Sequence, residues 1–173
     1  MNAGRHRSGT QYKFGTTPLM ASAATDDLPE IRRLVLEGMH IDGINDHKQT
    51  ALIYAANAGK ADAVALLLSF GANIDHQDRH GATALFYAAS HGHVAAVDKL
   101  VEAGASIDVQ NNYGMTALMK AASQGREEVV ARLLQAGANV KAEAASGETA
   151  LHFAKEKKHL AIMDLLLEKW PKR

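Results

Sequence analysis

A threonine followed two residues later by a leucine recurs every 33 residues without an insertion: Thr17-Leu19, Thr50-Leu52, Thr83-Leu85, Thr116-Leu118 and Thr149-Leu151. A unit of 33 residues cannot bury a core by itself. Five in-phase copies therefore have to stack, each burying its apolar face on the next. Other columns keep the same register. Counted from the threonine, position +17 is Leu34, Leu67, Leu100, Leu133 and Leu166, and position +14 is Ile31, Val64, Val97, Val130 and Met163. Position +24 is Ile41, Ile74, Ile107 and Val140.

The glycines give an independent check. Of 14, 11 fall in three columns: two before the threonine (Gly15, Gly81, Gly114, Gly147), nine after (Gly59, Gly92, Gly125) and 21 after (Gly38, Gly71, Gly104, Gly137). Each unit thus has a turn, a first break and a second break. The segments between breaks read as helices. In the fourth copy a short Ala-rich stretch from Thr116 to Gln124 precedes Arg126–Gln135, where Val129, Val130, Leu133 and Leu134 recur at helical spacing. Gly137 follows just past the end, as a C′ glycine does. In the first copy Pro29 falls in an opening turn, where proline is tolerated.

Composition narrows the function classes. Aromatics are 5% of the chain, so Ala, Leu, Val and Ile must build the core. Lys plus Arg equals Asp plus Glu at 19 each, whereas phosphate neutralisation gives nucleic-acid binders a basic excess, so no nucleic-acid partner is expected. With no cysteine there is no disulfide, thiol nucleophile or Cys-ligated zinc. No apolar run is long enough to cross a membrane, and residues 1–12 read as a polar arm without a secretory core. A cytoplasmic monomer is the expectation, with one domain over residues 13–173 divided at about 13–45, 46–78, 79–111, 112–144 and 145–173.

These columns resemble the ankyrin repeat. The match runs through Gly15-Thr16-Thr17-Pro18-Leu19, through Asp78 to Ala89 (DRHGATALFYAA), then Gly92-His93 and Gly104-Ala105. It continues through Gly114, Thr116, Leu118, Ala121, Ala122, Gly125 and Gly137-Ala138-Asn139-Val140. The resemblance implies an all-α solenoid of helix-turn-helix units with short hairpin turns, non-catalytic and without a cofactor. There are departures. The proline after the threonine survives only at Pro18. The histidine at +3 survives only at His152; Met20, Ile53, Phe86 and Met119 replace it, implying either more apolar packing there or a greasier inner surface. Lys48 stands where a turn glycine is usual. Lys155 and Lys158 replace the alanine and glycine of the internal copies, so the fifth copy reads as a polar cap, while Asp26 and Asp27 mark the first.

Nothing in the chain assembles catalytic or metal chemistry. The glycines belong to the repeat, not to a phosphate loop. His91 and His93 sit two apart, but one histidine per stacked unit converges poorly on a metal. The resemblance instead implies a protein partner on a concave side made of turn tips and first helices. Its contact columns fall on Asp46, His47, Arg79, His80, Asn112 and Tyr113 at the tips, and on Gln49 and Met115 just before the threonine. On the first helices they fall on Tyr54, Tyr87 and Lys120, and on Asn57, Ser90, His91 and Gln124. Tyr, Met and Arg are enriched at interfaces. Tyr54 and Tyr87 read equally well as packing against the next repeat. A second class, a self-assembling scaffold, draws on the thinned helix with Ala61, Ala63 and Ala65.

Overall fold

The computed structural model describes residues 15–170, and the arm expected over residues 1–12 lies outside them. Ten helices form five pairs among the described residues: α1 Pro18–Thr25 with α2 Leu28–Leu36, α3 Ala51–Asn57 with α4 Ala61–Ser69, α5 Ala84–His91 with α6 Val94–Glu102, α7 Ala117–Ser123 with α8 Glu127–Gln135, and α9 Ala150–Glu156 with α10 Leu160–Glu168. The first helices pack in one row, α1 on α3 on α5 on α7 on α9, and the second helices in another, α2 on α4 on α6 on α8 on α10. No strand occurs among the described residues. This is an all-α solenoid of stacked pairs.

The threonine column starts the first helix of each pair. Thr50, Thr83, Thr116 and Thr149 are buried, and in the first four pairs the hydroxyl oxygen accepts the backbone N–H three residues on, at Met20, Ile53, Phe86 and Met119, 3.2–3.4 Å away. Such a cap satisfies an otherwise orphaned donor and is worth about 1 kcal/mol. Where the +3 histidine is kept, His152 Nδ1 accepts from the Thr149 N–H at 3.1 Å. At Thr17 and Thr116 a methionine does the same, with Met20 Sδ and Met119 Sδ each 3.4 Å from the threonine nitrogen. Met20, Ile53, Phe86 and Met119 are all buried, so the histidine's loss went into apolar packing and not into the inner surface.

The core columns are where the register puts them. Leu67, Leu100, Leu133 and Leu166 are fully buried, as are Ile31, Val64, Val97 and Val130, whereas Met163 in the last pair is half-buried. Position +6 is buried at Ala23, Ala56, Ala89 and Ala122, and exposed at Lys155. Ala63 is buried too, while Ala61 and Ala65 are partly exposed on α4. Two of the three small residues that suggested self-assembly therefore still reach the surface.

Positive φ explains the breaks. Glycine in the +9 column is required twice over. Gly59, Gly92 and Gly125 have φ of 70°, 80° and 71°, and a β-carbon on each would lie 2.6–2.9 Å from the side chain that the next repeat lays against it, His93, Arg126 or His159. The first and last pairs carry Asp26 and Lys158 there, at φ 62° and 61°. Asp26 turns its side chain to use, Oδ1 accepting from Ala63 N–H at 2.9 Å in the next repeat. Lys48 adopts φ 57° in the turn before α3 and still closes it, donating its N–H to Asn45 O at 2.9 Å.

Candidate protein-binding surface

The turn tips are joined main chain to main chain. Arg79 N–H donates to His47 O at 2.9 Å, Asn112 N–H to His80 O at 2.9 Å and Ala145 N–H to Tyr113 O at 3.0 Å. Asn112 Nδ2 adds a bond to Arg79 O at 3.0 Å. The tips of the second to fifth repeats therefore form one ladder beside the row of first helices, and a ligand lying along it meets a continuous rigid edge.

A column that sequence reading passed over fixes each tip. Asn45, Asp78 and Asn111 stand five before the threonine. The Oδ1 of each accepts two backbone N–H groups across its turn, those of His47 and Gln49, of His80 and Ala82, and of Tyr113 and Met115, at 2.8–3.0 Å. Asx side chains close turns in this way. A second overlooked column, Asp42, Asp75 and Asp108, staples repeats together by accepting the N–H of Asn73, Ser106 and Asn139 at 2.9–3.0 Å. Both columns share the 33-residue spacing, so the period itself was the signal that could have found them.

Against this frame the expected contact residues divide into two groups. One group is tied inward. Tyr87 donates its hydroxyl to Asp78 Oδ2 at 2.7 Å, and burial together with the Asp78 carboxylate pushes its pKa up to about 12. Tyr54 Oη accepts from Asn45 Nδ2 at 3.1 Å and lies 3.3 Å from Thr16 Oγ1. Gln49 Oε1 accepts from Asn45 Nδ2 at 3.3 Å. All three are half-buried, as is Met115, which packs against the core. Their polar ends serve the turns, and only their flanks reach the surface.

The other group is presented outward. Asp46, Arg79, His80, Asn112 and Tyr113 are exposed at the tips, with Tyr113 64% accessible, and His47 is half-buried. Arg79 turns one guanidinium nitrogen to His47 Nδ1, so the two tips are bridged by side chains as well as backbone. On the first helices Asn57, His91 and Gln124 are exposed, and Ser90 and Lys120 half-buried. The His91 and His93 rings stack with centroids 5.7 Å apart. Each imidazole already has a carbonyl partner, His91 Nδ1 on Tyr87 O at 3.0 Å and His93 Nε2 on Asn57 O at 3.1 Å. Arg126 Nε makes the equivalent bond to Ser90 O at 3.1 Å. These donors satisfy carbonyls that the ends of α3 and α5 leave unpaired. Among the described residues no group of three or more His, Asp or Glu side chains could hold a metal, and no helix is long and apolar enough to cross a membrane.

A family model for ankyrin repeats (3 copies) matches the chain in four overlapping stretches, residues 3–78, 19–111, 57–144 and 107–172. Those stretches cover nearly the whole sequence, and they lie on the helix pairs, capped threonines and laddered tips described above. The chain belongs to the ankyrin repeat family, whose repeats are protein–protein interaction modules and are generally non-catalytic.

Proposed function

We propose that this protein is an adaptor or inhibitor that grips a protein partner on the concave, tip-and-first-helix side of its second to fourth repeats, and that it acts as a cytoplasmic monomer organised as one domain over residues 13–173. The observation that supports this most is the laddered row of tips. It holds Arg79, His80, Asn112 and Tyr113 in the open and outside the core, with Asn112 and Arg79 each giving one side-chain bond to the neighbouring tip. An aromatic ring as exposed as Tyr113 on a rigid tip gives large contact area at low entropy cost, and arginine and tyrosine dominate interface energetics. Tyr54, Tyr87 and Met115 form the floor behind them, with Lys120, His91 and Gln124 at the helix edge.

The test is a double substitution. Arg79→Ala with Tyr113→Ala weakens binding to the captured partner at least about tenfold, or about 1.4 kcal/mol, while the melting temperature stays put because neither side chain is in the core. A double variant that binds normally would falsify this surface. The outer face of the second helices, with Asp98, Lys99, Glu102, Glu128 and Arg132, then becomes the place to look.

A further inference from the structure

The charge of this molecule cancels in sum but not in space. The outer helices α4, α6 and α8 carry five carboxylates, Asp62, Asp98, Glu102, Glu127 and Glu128, against two cations, Lys99 and Arg132. Both cations are engaged, Lys99 with Glu102 at 3.1 Å and Arg132 with Asp98 at 3.8 Å and Glu128 at 3.9 Å. The opposite side has the reverse sign. Between Asp46 at one end and Glu148 at the other, the tip and first-helix columns hold Arg79, His80, His91 and Lys120 and no exposed carboxylate. Of the acids beside these columns, Asp78 is 5% exposed and already accepts from the Tyr87 hydroxyl and two backbone N–H groups, and Glu143 is exposed just ahead of the fifth turn. Among the described residues Lys120 has no ion-pair partner, and Arg79 meets an imidazole in place of a carboxylate.

We propose that the occupant of this side is an extended acidic segment of a protein, its carboxylates set against Arg79 and Lys120 and its apolar side chains against Tyr113. This assignment rests on the reading of the concave surface given above. Potentials of opposite sign steer encounter and fix register, and the tips and first helices of the third and fourth repeats present no carboxylate to repel an anionic ligand. Two full positive charges suit a peptide with a few acids. A nucleic acid strand, whose affinity comes from neutralising many phosphates, needs more. The spacing is constrained as well. Packed helices lie about 8–10 Å apart and an extended chain rises about 3.3 Å per residue, so a segment crossing the repeats sets one residue in about every three against each of them. Acids three apart are the expected pattern.

Selection from a random peptide library of about 12 residues, long enough to cross three repeats at that rise, tests this on the full chain. The expected result is enrichment of Asp and Glu at a spacing of about three, with at least about tenfold weaker binding of the selected peptides to Arg79→Gln/Lys120→Gln, a variant that melts as wild type. Arg79→Glu/Lys120→Glu weakens it further. Neutral or basic peptides that are lost on Tyr113→Ala overturn the acidic assignment and leave the surface standing. Peptides indifferent to all of these substitutions overturn both. No enrichment, or tighter binding of a single-stranded RNA of similar length, also contradicts an acidic peptide ligand.

Discussion

At Gly92 a single hydrogen atom in place of a side chain does two jobs. The backbone there is left-handed at φ 80°, and a β-carbon would meet Arg126 Cδ at 2.9 Å. Gly71 has φ 83° but nothing within 4 Å of the same point. Both Gly→Ala changes carry the left-handed penalty of about 1–2 kcal/mol. Only Gly92→Ala must also push Arg126 off the Ser90 carbonyl that it caps. Urea unfolding is expected to show the larger loss at position 92, and equal losses would mean that the next repeat does not seat against this glycine. Tyr87 offers a second test at the same scale. Burial, together with the Asp78 carboxylate, pushes its phenol pKa up to about 12. A folded pKa raised above the ordinary value of about 10 means that the stabilising bond is complete below pH 10 and is lost as the pH climbs through 12. Alkaline titration followed by tyrosinate absorbance should show a late step that Tyr87→Phe lacks; a curve that differs only in amplitude would contradict the Asp78 bond. The glycine columns were legible in the sequence because 11 of the 14 glycines fall into them. The Asn45, Asp78 and Asn111 turn locks were not singled out, since Asn and Asp alternate there and Ala144 ends the column. Nor could the sequence say that methionine sulfur would replace imidazole at Thr17 and Thr116, because a thioether is read first as apolar filler.

The helices are short, 7 to 9 residues, well below the length at which an isolated helix holds in water. They exist because both rows bury them. Leu100 and Leu133 are fully buried between rows, so each Leu→Ala change is expected to cost about 2–5 kcal/mol in denaturant unfolding. Lys155→Ala sits at the equivalent of a buried alanine but is exposed in α9, and it should cost little. A loss of several kcal/mol at Lys155 would mean that its ammonium is structural. Helix positions followed from the 33-residue period and the apolar stripes. What sequence could not supply was how the second helices begin. Lys60, His93, Arg126 and His159 stand at the N-cap without a capping side-chain bond. His93 and Arg126 are spent on the preceding repeat, a role visible only once the repeats are stacked.

Across the whole molecule each repeat touches mainly its neighbours, so stability is shared along the stack and a core truncation is felt beyond its own unit. That arrangement leaves one edge, the laddered tips with the first helices behind them, where side chains such as His80 and Tyr113 stand exposed. The family's contact columns, read onto the sequence, name residues of this edge. They could not separate side chains that hold the turns, such as Tyr87 and Gln49, from those that are free to meet a partner, such as Tyr113, because both kinds occupy the same columns. The most direct measurement of the central claim is site-specific photo-crosslinking in cell extract, with a photoreactive phenylalanine in place of Tyr113 on the tips or of Arg132 on α8. The account predicts a discrete protein adduct from position 113 and none from position 132. An adduct from position 132 alone would contradict it.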